Sequence, residues 1–211
     1  MSTNRDSYDG IAHEWDAARS SFNGNERRYI ETLLAGLPTP SSILDVGCGT
    51  GRPMAEFVLE QGHLVTGIDQ SKALLDVARG RFPEATWVEA RIEDYAFDGR
   101  HDAVICWDSL FHIERVHHHA TLTGIHGCLA PGGRVMLTVG GSDHPAFTDT
   151  MFGHQFFYDS HAPQRVLDML GEIGFDVLVG EFTNEPTGGR DKGRYAVVAR
   201  KAGVVARTTA P

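Results

Sequence analysis

The chain has 211 residues, of which 41% are hydrophobic and 22% are charged. This balance excludes a disordered or collagen-like chain and predicts one globular domain of ordinary size. The formal net charge is −9, with 19 basic and 28 acidic residues, whereas a protein that neutralises many phosphates carries the opposite excess. A nucleic-acid partner is therefore not expected.

The three cysteines, Cys48, Cys106 and Cys128, are widely spaced and form no Cys-x-x-Cys motif. Such an odd, scattered set is typical of a reducing compartment and argues against a disulfide framework or a zinc knuckle. The N-terminal segment is polar, and no apolar run approaches the roughly 20 residues that cross a bilayer. We therefore expect a cytoplasmic monomer or homodimer without a membrane segment.

The pattern of apolar residues predicts helices and strands in alternation after a helical N-terminal region that ends at Pro38 and Pro40. This alternation predicts a parallel sheet with helices on both faces. The last two strands have no helix between them, which predicts one antiparallel strand. The predicted strands are Ser42–Val46, His63–Ile68, Ala85–Glu89, Asp102–Cys106, Arg134–Val139, Phe175–Phe182 and Tyr195–Ala199.

The first predicted strand leads into a glycine-rich turn, Gly47–Gly51, before a helix. Glycines there permit positive φ and bring backbone N–H groups close to a ligand. A dinucleotide fingerprint would place its third glycine one position later, where Arg52 stands. Asp45 before the turn suits an ammonium group, and Asp69 at the end of the second strand suits ribose hydroxyls. The pattern therefore predicts a ligand with a ribose and a cationic group but no pyrophosphate.

The segment Leu44–Gly51 resembles motif I of class I S-adenosylmethionine-dependent methyltransferases. Asp69 matches the ribose carboxylate of that family, and Leu129–Arg134 matches the turn before its fifth strand. Tyr8–Asp16 resembles the lid helix of its small-molecule members, so the resemblance covers about residues 8–201. It implies an α/β, Rossmann-like three-layer sandwich with a seven-stranded, mostly parallel sheet of order 3-2-1-4-5-7-6, in which strand 7 is antiparallel.

The resemblance also implies an organisation of the chain. A single methyltransferase domain is expected over residues 1–200, with an N-terminal helical lid over residues 1–40. The segment 140–160, which has no clean periodicity, is expected to be a substrate-side insertion. Residues 201–211 are expected to be a tail.

The family's cofactor is S-adenosylmethionine, and its product is S-adenosylhomocysteine. By resemblance, Asp69 binds both ribose hydroxyls and Gln70 flanks the adenine. Arg91 stands where many members carry an acid for the adenine amino group, so the Ile92 N–H could serve the adenine and either Glu93 or Asp94 could replace the acid. The residues implied to contact the cofactor are Tyr8, Trp15, Arg19, Asp45, Gly47, Cys48, Gly49, Asp69, Gln70, Arg91, Ile92, Glu93, Cys106, Trp107 and Phe111.

The acceptor is less evident from the sequence. Methyl transfer is an in-line displacement, so alignment matters more than a general base. The segment Cys106–Ser109 lacks the Pro-Pro of amine and amide methylases and the Pro-Cys of cytosine enzymes. Asp108 and His112 are the candidate catalytic residues, although Asp108 equally suits a capping role and His112 a packing role under the cofactor. Candidate substrate contacts are His144, His154 and Tyr158, in an aromatic segment that suits a lid or a small satellite core equally well.

The chain has 11 histidines, and His117–His119 lie on a predicted helix. Their spacing from His112 is not the i, i+4 pair of a zinc helix, so a solvated helix face is the favoured interpretation and no metal is predicted. The predicted function is methyl transfer to an O, N or C atom of a small molecule. The alternatives are a methyltransferase acting on protein or RNA and a non-catalytic module that binds the cofactor. An NAD-dependent oxidoreductase is disfavoured because Arg52 replaces the needed glycine.

Overall fold

Seven α-helices and nine β-strands follow one another over residues 4–203, the part of the chain that the computed structural model describes. The helices are α1 (Asn4–Gly10), α2 (Ala12–Ala18), α3 (Glu26–Leu34), α4 (Met54–Glu60), α5 (Lys72–Arg81), α6 (His118–Cys128) and α7 (Pro163–Ile173). The strands are β1 (Ser42–Val46), β2 (Leu64–Asp69), β3 (Thr86–Glu89), β4 (His101–Cys106), β5 (Leu129–Gly140), β6 (Phe147–Met151), β7 (His154–Tyr158), β8 (Phe175–Asn184) and β9 (Arg194–Lys201). The predicted tail lies outside the described residues from residue 204 on.

The main sheet has seven strands in the order β3-β2-β1-β4-β5-β9-β8. The first five are parallel, and β9 runs antiparallel to both β5 and β8. Counting only the strands of this sheet, the order is 3-2-1-4-5-7-6. The predicted fold class and strand order are therefore confirmed.

Helices cover both faces of the sheet because its central strands are apolar on both sides. The strand β1 shows why: Ile43 faces one hydrophobic cluster, and Leu44 and Val46 face the other. The first cluster is completed by α3, α4 and α5, and the second by α6 and α7. Fully buried strands of this kind place only their carboxyl ends within reach of a ligand.

The segment between β5 and α7 forms a two-stranded antiparallel hairpin, β6–β7, apart from the main sheet. Its two-residue turn consists of Phe152 and Gly153, both with positive φ. Turns of this type favour Asn-Gly or Asp-Gly, so a phenylalanine in the first position hid the hairpin from the sequence analysis. Phe156 of β7 is completely buried against Tyr8 and Ile11 of the N-terminal region.

The N-terminal region divides into two parts. The helix α3 packs on the sheet, whereas α1 and α2 pack against α5 and β7. The Asp9 carboxylate accepts hydrogen bonds from Ser71 Oγ (2.6 Å) and from the Ala73 N–H (3.0 Å) at the start of α5. An ion pair between Arg81 and Asp16 (2.7 Å) adds a second attachment. The first two helices therefore lie over the carboxyl ends of β1 and β2.

No helix within residues 4–203 combines the length and the apolar character that crossing a bilayer requires.

Candidate active site

A cleft of about 540 Å³ lies at the carboxyl ends of β1, β2 and β4, under α1 and α2. It is called the first cleft below. Its lining residues come from the glycine turn, the end of β2, the loop after β3, the loop after β4 and the N-terminal helices. They are Tyr8, Trp15, Gly47, Gly49, Asp69, Gln70, Leu74, Ala90, Ile92, Glu93, Trp107, Asp108, Ser109, His112 and Ile113.

The glycine turn forms the floor of this cleft. Gly47 and Gly49 have φ of 76° and 55°, a region that favours glycine. A Cβ on Gly47 would overlap the Ser109 side chain, and one on Gly49 would lie 3.3 Å from Trp15 Nε1. The N–H groups of Gly47 and Cys48 donate to the Ile68 carbonyl (2.8 and 3.0 Å), which holds the turn against β2. The absence of side chains thus keeps the floor open to a ligand.

Asp69 is buried at the end of β2 and faces the cleft. Its carboxylate accepts hydrogen bonds from the Gly49 N–H (2.9 Å) and the Ser71 N–H (2.8 Å). Burial raises the pKa of Asp69, and these backbone N–H groups act in the opposite direction. The carboxylate therefore has a fixed position and retains lone pairs for ligand hydroxyls.

Asp45 is buried beneath the same turn, beside a second, smaller space that Trp15, Arg19, Cys48 and Trp107 also line. Within residues 4–203, no group donates a hydrogen bond to its carboxylate. Burial, and then the neighbouring Asp69, raises its pKa to about 7. A buried carboxylate without a donor is a natural partner for a cationic ligand group.

The lid residues contact one another and the cleft. Tyr8 and Trp15 form an edge-to-face pair with ring centroids 5.3 Å apart. Arg19 is buried and donates to Glu26 (3.0 Å), which also accepts from Trp107 Nε1 (2.9 Å). This buried ion pair fixes the end of α2 next to the residue that follows β4.

His112 is surrounded by hydrogen-bonding groups from two segments, α1 and β7. Its Nε2 lies 3.0 Å from the Tyr8 hydroxyl, and its Nδ1 lies 3.0 Å from both Asn4 Nδ2 and the Phe157 carbonyl. Burial lowers the pKa of His112, so the ring is neutral at pH 7. Both ring nitrogens therefore contact protein groups in this arrangement.

Asp108 follows β4 in the left-handed backbone region, with φ of 51°. Its N–H donates to Thr138 Oγ1 (2.7 Å), and its carboxylate accepts from Arg194 Nη1 of β9 (2.7 Å). An aspartate tolerates this backbone conformation better than most residues. The ion pair with Arg194 holds the carboxylate at the wall of the first cleft.

A larger cleft of about 990 Å³ lies on the other side of His112, between the β6–β7 hairpin and the loop that joins β8 to β9. It is called the second cleft below. The ring of Tyr158, which lines it, lies 4.8 Å from the ring of His112, which lines the first cleft. Its lining residues are Phe111, Gly140, His144, Phe147, Asp149, Tyr158, Asp159, Ser160, Arg190, Asp191, Lys192 and Gly193.

Residues 43–133 match a family model described as a methyltransferase domain. Trans-aconitate 2-methyltransferase of Acidovorax sp. (strain JS42) is 38% identical over 128 residues, which are 57% of this chain and 48% of that protein. A ubiquinone biosynthesis O-methyltransferase of Vibrio campbellii is 37% identical over 105 residues, 46% of this chain and 42% of that protein. The chain spans about half the length of the curated relatives it matches.

Among solved structures, the 1,6-didemethyltoxoflavin-N1-methyltransferase of Burkholderia thailandensis superimposes with a TM-score of 0.70. The alignment covers 94% of this chain and 87% of that chain at 23% sequence identity, which shows a shared fold. Residues 43–133 therefore resemble the methyltransferase domain family, and the chain shares the fold of a methyltransferase whose crystal structure contains S-adenosylhomocysteine.

The fold brings most of the predicted cofactor contacts to the first cleft or to the smaller space beside it. Three predicted cofactor contacts, Phe111, Cys106 and Arg91, and one predicted substrate contact, His154, line neither of these spaces. Phe111 lines the second cleft. The Cys106 side chain is buried in the hydrophobic core, because residues of β4 alternate between the two faces of the sheet. Arg91 is exposed and pairs with Glu93, which lines the first cleft in its place. His154 lines neither cleft and packs against Gly10 of the lid.

Two residues of the site escaped the sequence analysis. Asn4 bridges His112 and Phe157, accepting from the Phe157 N–H (2.7 Å) and donating to its carbonyl (3.0 Å). Ser109 closes the floor at Gly47 and donates to the Val46 carbonyl (2.8 Å). Ser109 adjoins the predicted Asp108 and could have been found by position, whereas a lone polar residue such as Asn4 gives no signal. No cluster of three or more metal-ligating side chains occurs within the described range.

Proposed function

We propose that this domain transfers a methyl group from S-adenosylmethionine to a small-molecule acceptor. The observation that carries the proposal is the fixed Asp69 carboxylate facing the cleft above the side-chain-free floor of Gly47 and Gly49. That arrangement suits a ribose lying across a glycine turn. The resemblance of residues 43–133 to the methyltransferase domain family supports the same cofactor.

The donor set of the first cleft fits the parts of S-adenosylmethionine. Asp69 would accept from the ribose hydroxyls, and Gln70, Ile92 and Glu93 would surround the adenine. Asp45, buried without a donor, would balance the positive charge of the methionine part. Arg19, although it is paired with Glu26, lines the space where the carboxylate end of that part would lie.

The cofactor supplies an electrophilic methyl group attached to a positively charged sulfur. The residues of this chain then have to bind, orient and exclude water. Tyr8 and Trp15 cover the cleft from the lid, while Asp108 stays anchored to Arg194 at the wall between cofactor and acceptor. His112 would orient Tyr8 and would act as a base only after losing a hydrogen-bond partner.

Two observations support a small acceptor. The second cleft lies between a hairpin and a loop, and its size and mixed aromatic and polar lining suit a small molecule. The relatives reported above also act, by their names, on trans-aconitate and in ubiquinone biosynthesis. The formal charge of −9 gives no general attraction for RNA.

Calorimetric titration with S-adenosylmethionine, S-adenosylhomocysteine and NADH tests the cofactor. We expect binding of the first two in the micromolar range and no heat from NADH. Binding of NADH alone would overturn the proposal. Cofactor binding without turnover of any acceptor in a broad screen would instead indicate a non-catalytic binding module.

A further inference from the structure

The second cleft has one aromatic wall. The rings of Phe147 and Tyr158 are stacked, with centroids 5.2 Å apart and an interplanar angle of 16°. The ring of Phe111 continues the series, 6.1 Å from Tyr158 at an angle of 33°. Aromatic pairs favour such offset, near-parallel arrangements, so a planar conjugated molecule would extend the series with little reorganisation.

The rest of the lining of the second cleft includes charged groups, and its acids already accept hydrogen bonds. Asp149 accepts from Arg190 Nε (2.6 Å), and Asp159 accepts from Arg115 Nε (2.5 Å) and from the Arg115 N–H (2.7 Å). Asp191 accepts from Asn184 Nδ2 (3.1 Å) and from the Gly193 N–H (2.9 Å). Asp149 and Asp159 are therefore paired with arginines, whereas Asp191 is held by neutral donors.

Lys192 differs from Arg190, which also lines the second cleft. Its ammonium donates to the Gly189 carbonyl (2.9 Å), and within residues 4–203 no carboxylate lies at ion-pair distance from it. The side chain is half-buried and lines the cleft. A partly desolvated ammonium without an acidic partner favours an anionic group on the ligand.

The Tyr158 hydroxyl provides a neutral hydrogen-bond donor in the second cleft. The Tyr158 hydroxyl has no hydrogen-bond partner among the described residues, and burial raises its pKa to about 12. The phenol thus keeps its proton and can donate to an oxygen of a bound molecule. It stands on the side of the second cleft nearest His112 and the first cleft.

We propose that the second cleft is the acceptor subsite and that it takes a planar conjugated acid, with its ring stacked on the aromatic series of Phe111, Tyr158 and Phe147 and its acidic group at Lys192. The identification of this cleft as an acceptor subsite rests on the proposed function. The binding preference itself can be measured without turnover, so the two proposals fail separately.

The test uses three probes of similar size: 2-naphthoate, the neutral 2-naphthylmethanol and the saturated decahydro-2-naphthoate. Their dissociation constants are measured by saturation-transfer NMR titration of the whole chain. We expect 2-naphthoate to bind at least about fivefold more tightly than either of the others, because only it has both the plane and the charge. Equal affinities, or no binding of any probe, would overturn the proposal.

Variants test whether the probes bind at the residues of the second cleft. Lys192→Met should weaken 2-naphthoate at least about fivefold and leave 2-naphthylmethanol within about twofold. Phe147→Leu should reduce the preference for the planar acid over the saturated one. Lys72→Met, on the exposed face of α5 and lining neither cleft, is the matched control and should change nothing. Undiminished 2-naphthoate binding in Lys192→Met would contradict the assignment.

Calorimetry with S-adenosylhomocysteine on the same variants separates the two proposals. Loss of probe binding in Lys192→Met with normal S-adenosylhomocysteine affinity supports the subsite. If the wild-type chain binds 2-naphthoate as expected but never binds S-adenosylhomocysteine, the proposed function fails while the preference of the cleft stands.

Discussion

At the scale of single residues, two buried aspartates differ in what stabilises their charge. Asp69 is held by two backbone N–H groups, whereas Asp45 receives no hydrogen bond within residues 4–203. Asp69 is therefore positioned before any ligand arrives, and Asp45 depends on a ligand for a counter-charge. The two residues should respond differently to substitution and to pH.

Asp69→Ala should weaken S-adenosylhomocysteine binding by about 1–3 kcal/mol, through loss of charge-assisted bonds to the ribose. Calorimetry measures the change. Asp76→Ala, at an exposed position on α5, is the control and should bind normally. Unchanged affinity in Asp69→Ala would remove the ribose assignment.

The raised pKa of Asp45 predicts that the affinity for S-adenosylhomocysteine depends on pH. Because its pKa lies near 7, the carboxyl group is largely protonated at pH 6 and ionised at pH 8. An ammonium ligand binds the ionised form, so S-adenosylhomocysteine affinity should rise by roughly tenfold from pH 6 to pH 8. Calorimetry at several pH values should show this rise in the wild type and a flat profile in Asp45→Asn.

The same residue affects the stability of the ligand-free protein. A folded-state pKa above the unfolded value stabilises the fold at low pH, and this contribution is lost as pH rises from about 4 towards 7. Asp45→Asn avoids the buried charge and should therefore be more stable than the wild type at pH 8, by roughly 1–4 kcal/mol. Urea denaturation at pH 5 and pH 8 gives the difference, which should shrink at the lower pH.

At the scale of elements, the hairpin β6–β7 contains a turn whose backbone conformation is unfavourable for its first residue. Phe152 has φ of 49° and its side chain is half exposed, so it gains little from burial. Asparagine adopts this conformation more readily, and Phe152→Asn should stabilise the protein by roughly 0.5–1 kcal/mol. Thermal unfolding tests this, with Phe182→Asn at another exposed phenylalanine as the comparison. A lower melting temperature for Phe152→Asn would show that the ring contributes contacts that outweigh the turn.

The bounds of several elements follow from local chemistry. Ser71 Oγ accepts from the Leu74 N–H (3.2 Å) at the start of α5, and Gly174 ends α7 with φ of 107°. Sequence analysis can detect ends of this kind, because side-chain caps and left-handed glycines act locally. It read Pro131–Gly133 as a turn outside β5, but these residues lie within the strand, beside a register shift opposite β4.

At the scale of the whole molecule, the sheet could be predicted from sequence and the second cleft could not. The strand order follows from apolar runs and from resemblance to a family. The second cleft depends on contacts between distant segments, such as Arg190 with Asp149 across 41 positions. The periodicity of apolar residues along the chain does not indicate which distant side chains form such a pair. The same reason explains why the sequence could not place Phe111 at the second cleft or His154 beside Gly10.

Ligand binding should raise the stability of the whole domain. S-adenosylhomocysteine at about 100 times its dissociation constant should add roughly 2.7 kcal/mol, which shifts the melting temperature by a few degrees. Gly49→Val should fold yet show no shift, because a side chain there meets Trp15 and fills the floor of the cleft. Differential scanning fluorimetry with both proteins measures the effect. A normal shift in Gly49→Val would mean that the turn does not hold the ligand.

The small hydrophobic cluster of Tyr8, Ile11, Leu74 and Phe156 is separate from the two clusters of the sheet. It joins the N-terminal helices to the hairpin, and Asn4 and Ser7 add hydrogen bonds to β7. For protein engineering, these two segments consequently form one exchangeable module. A chimera that imports a foreign hairpin to change substrate preference must import the matching N-terminal helices, since either part alone would meet an unmatched surface.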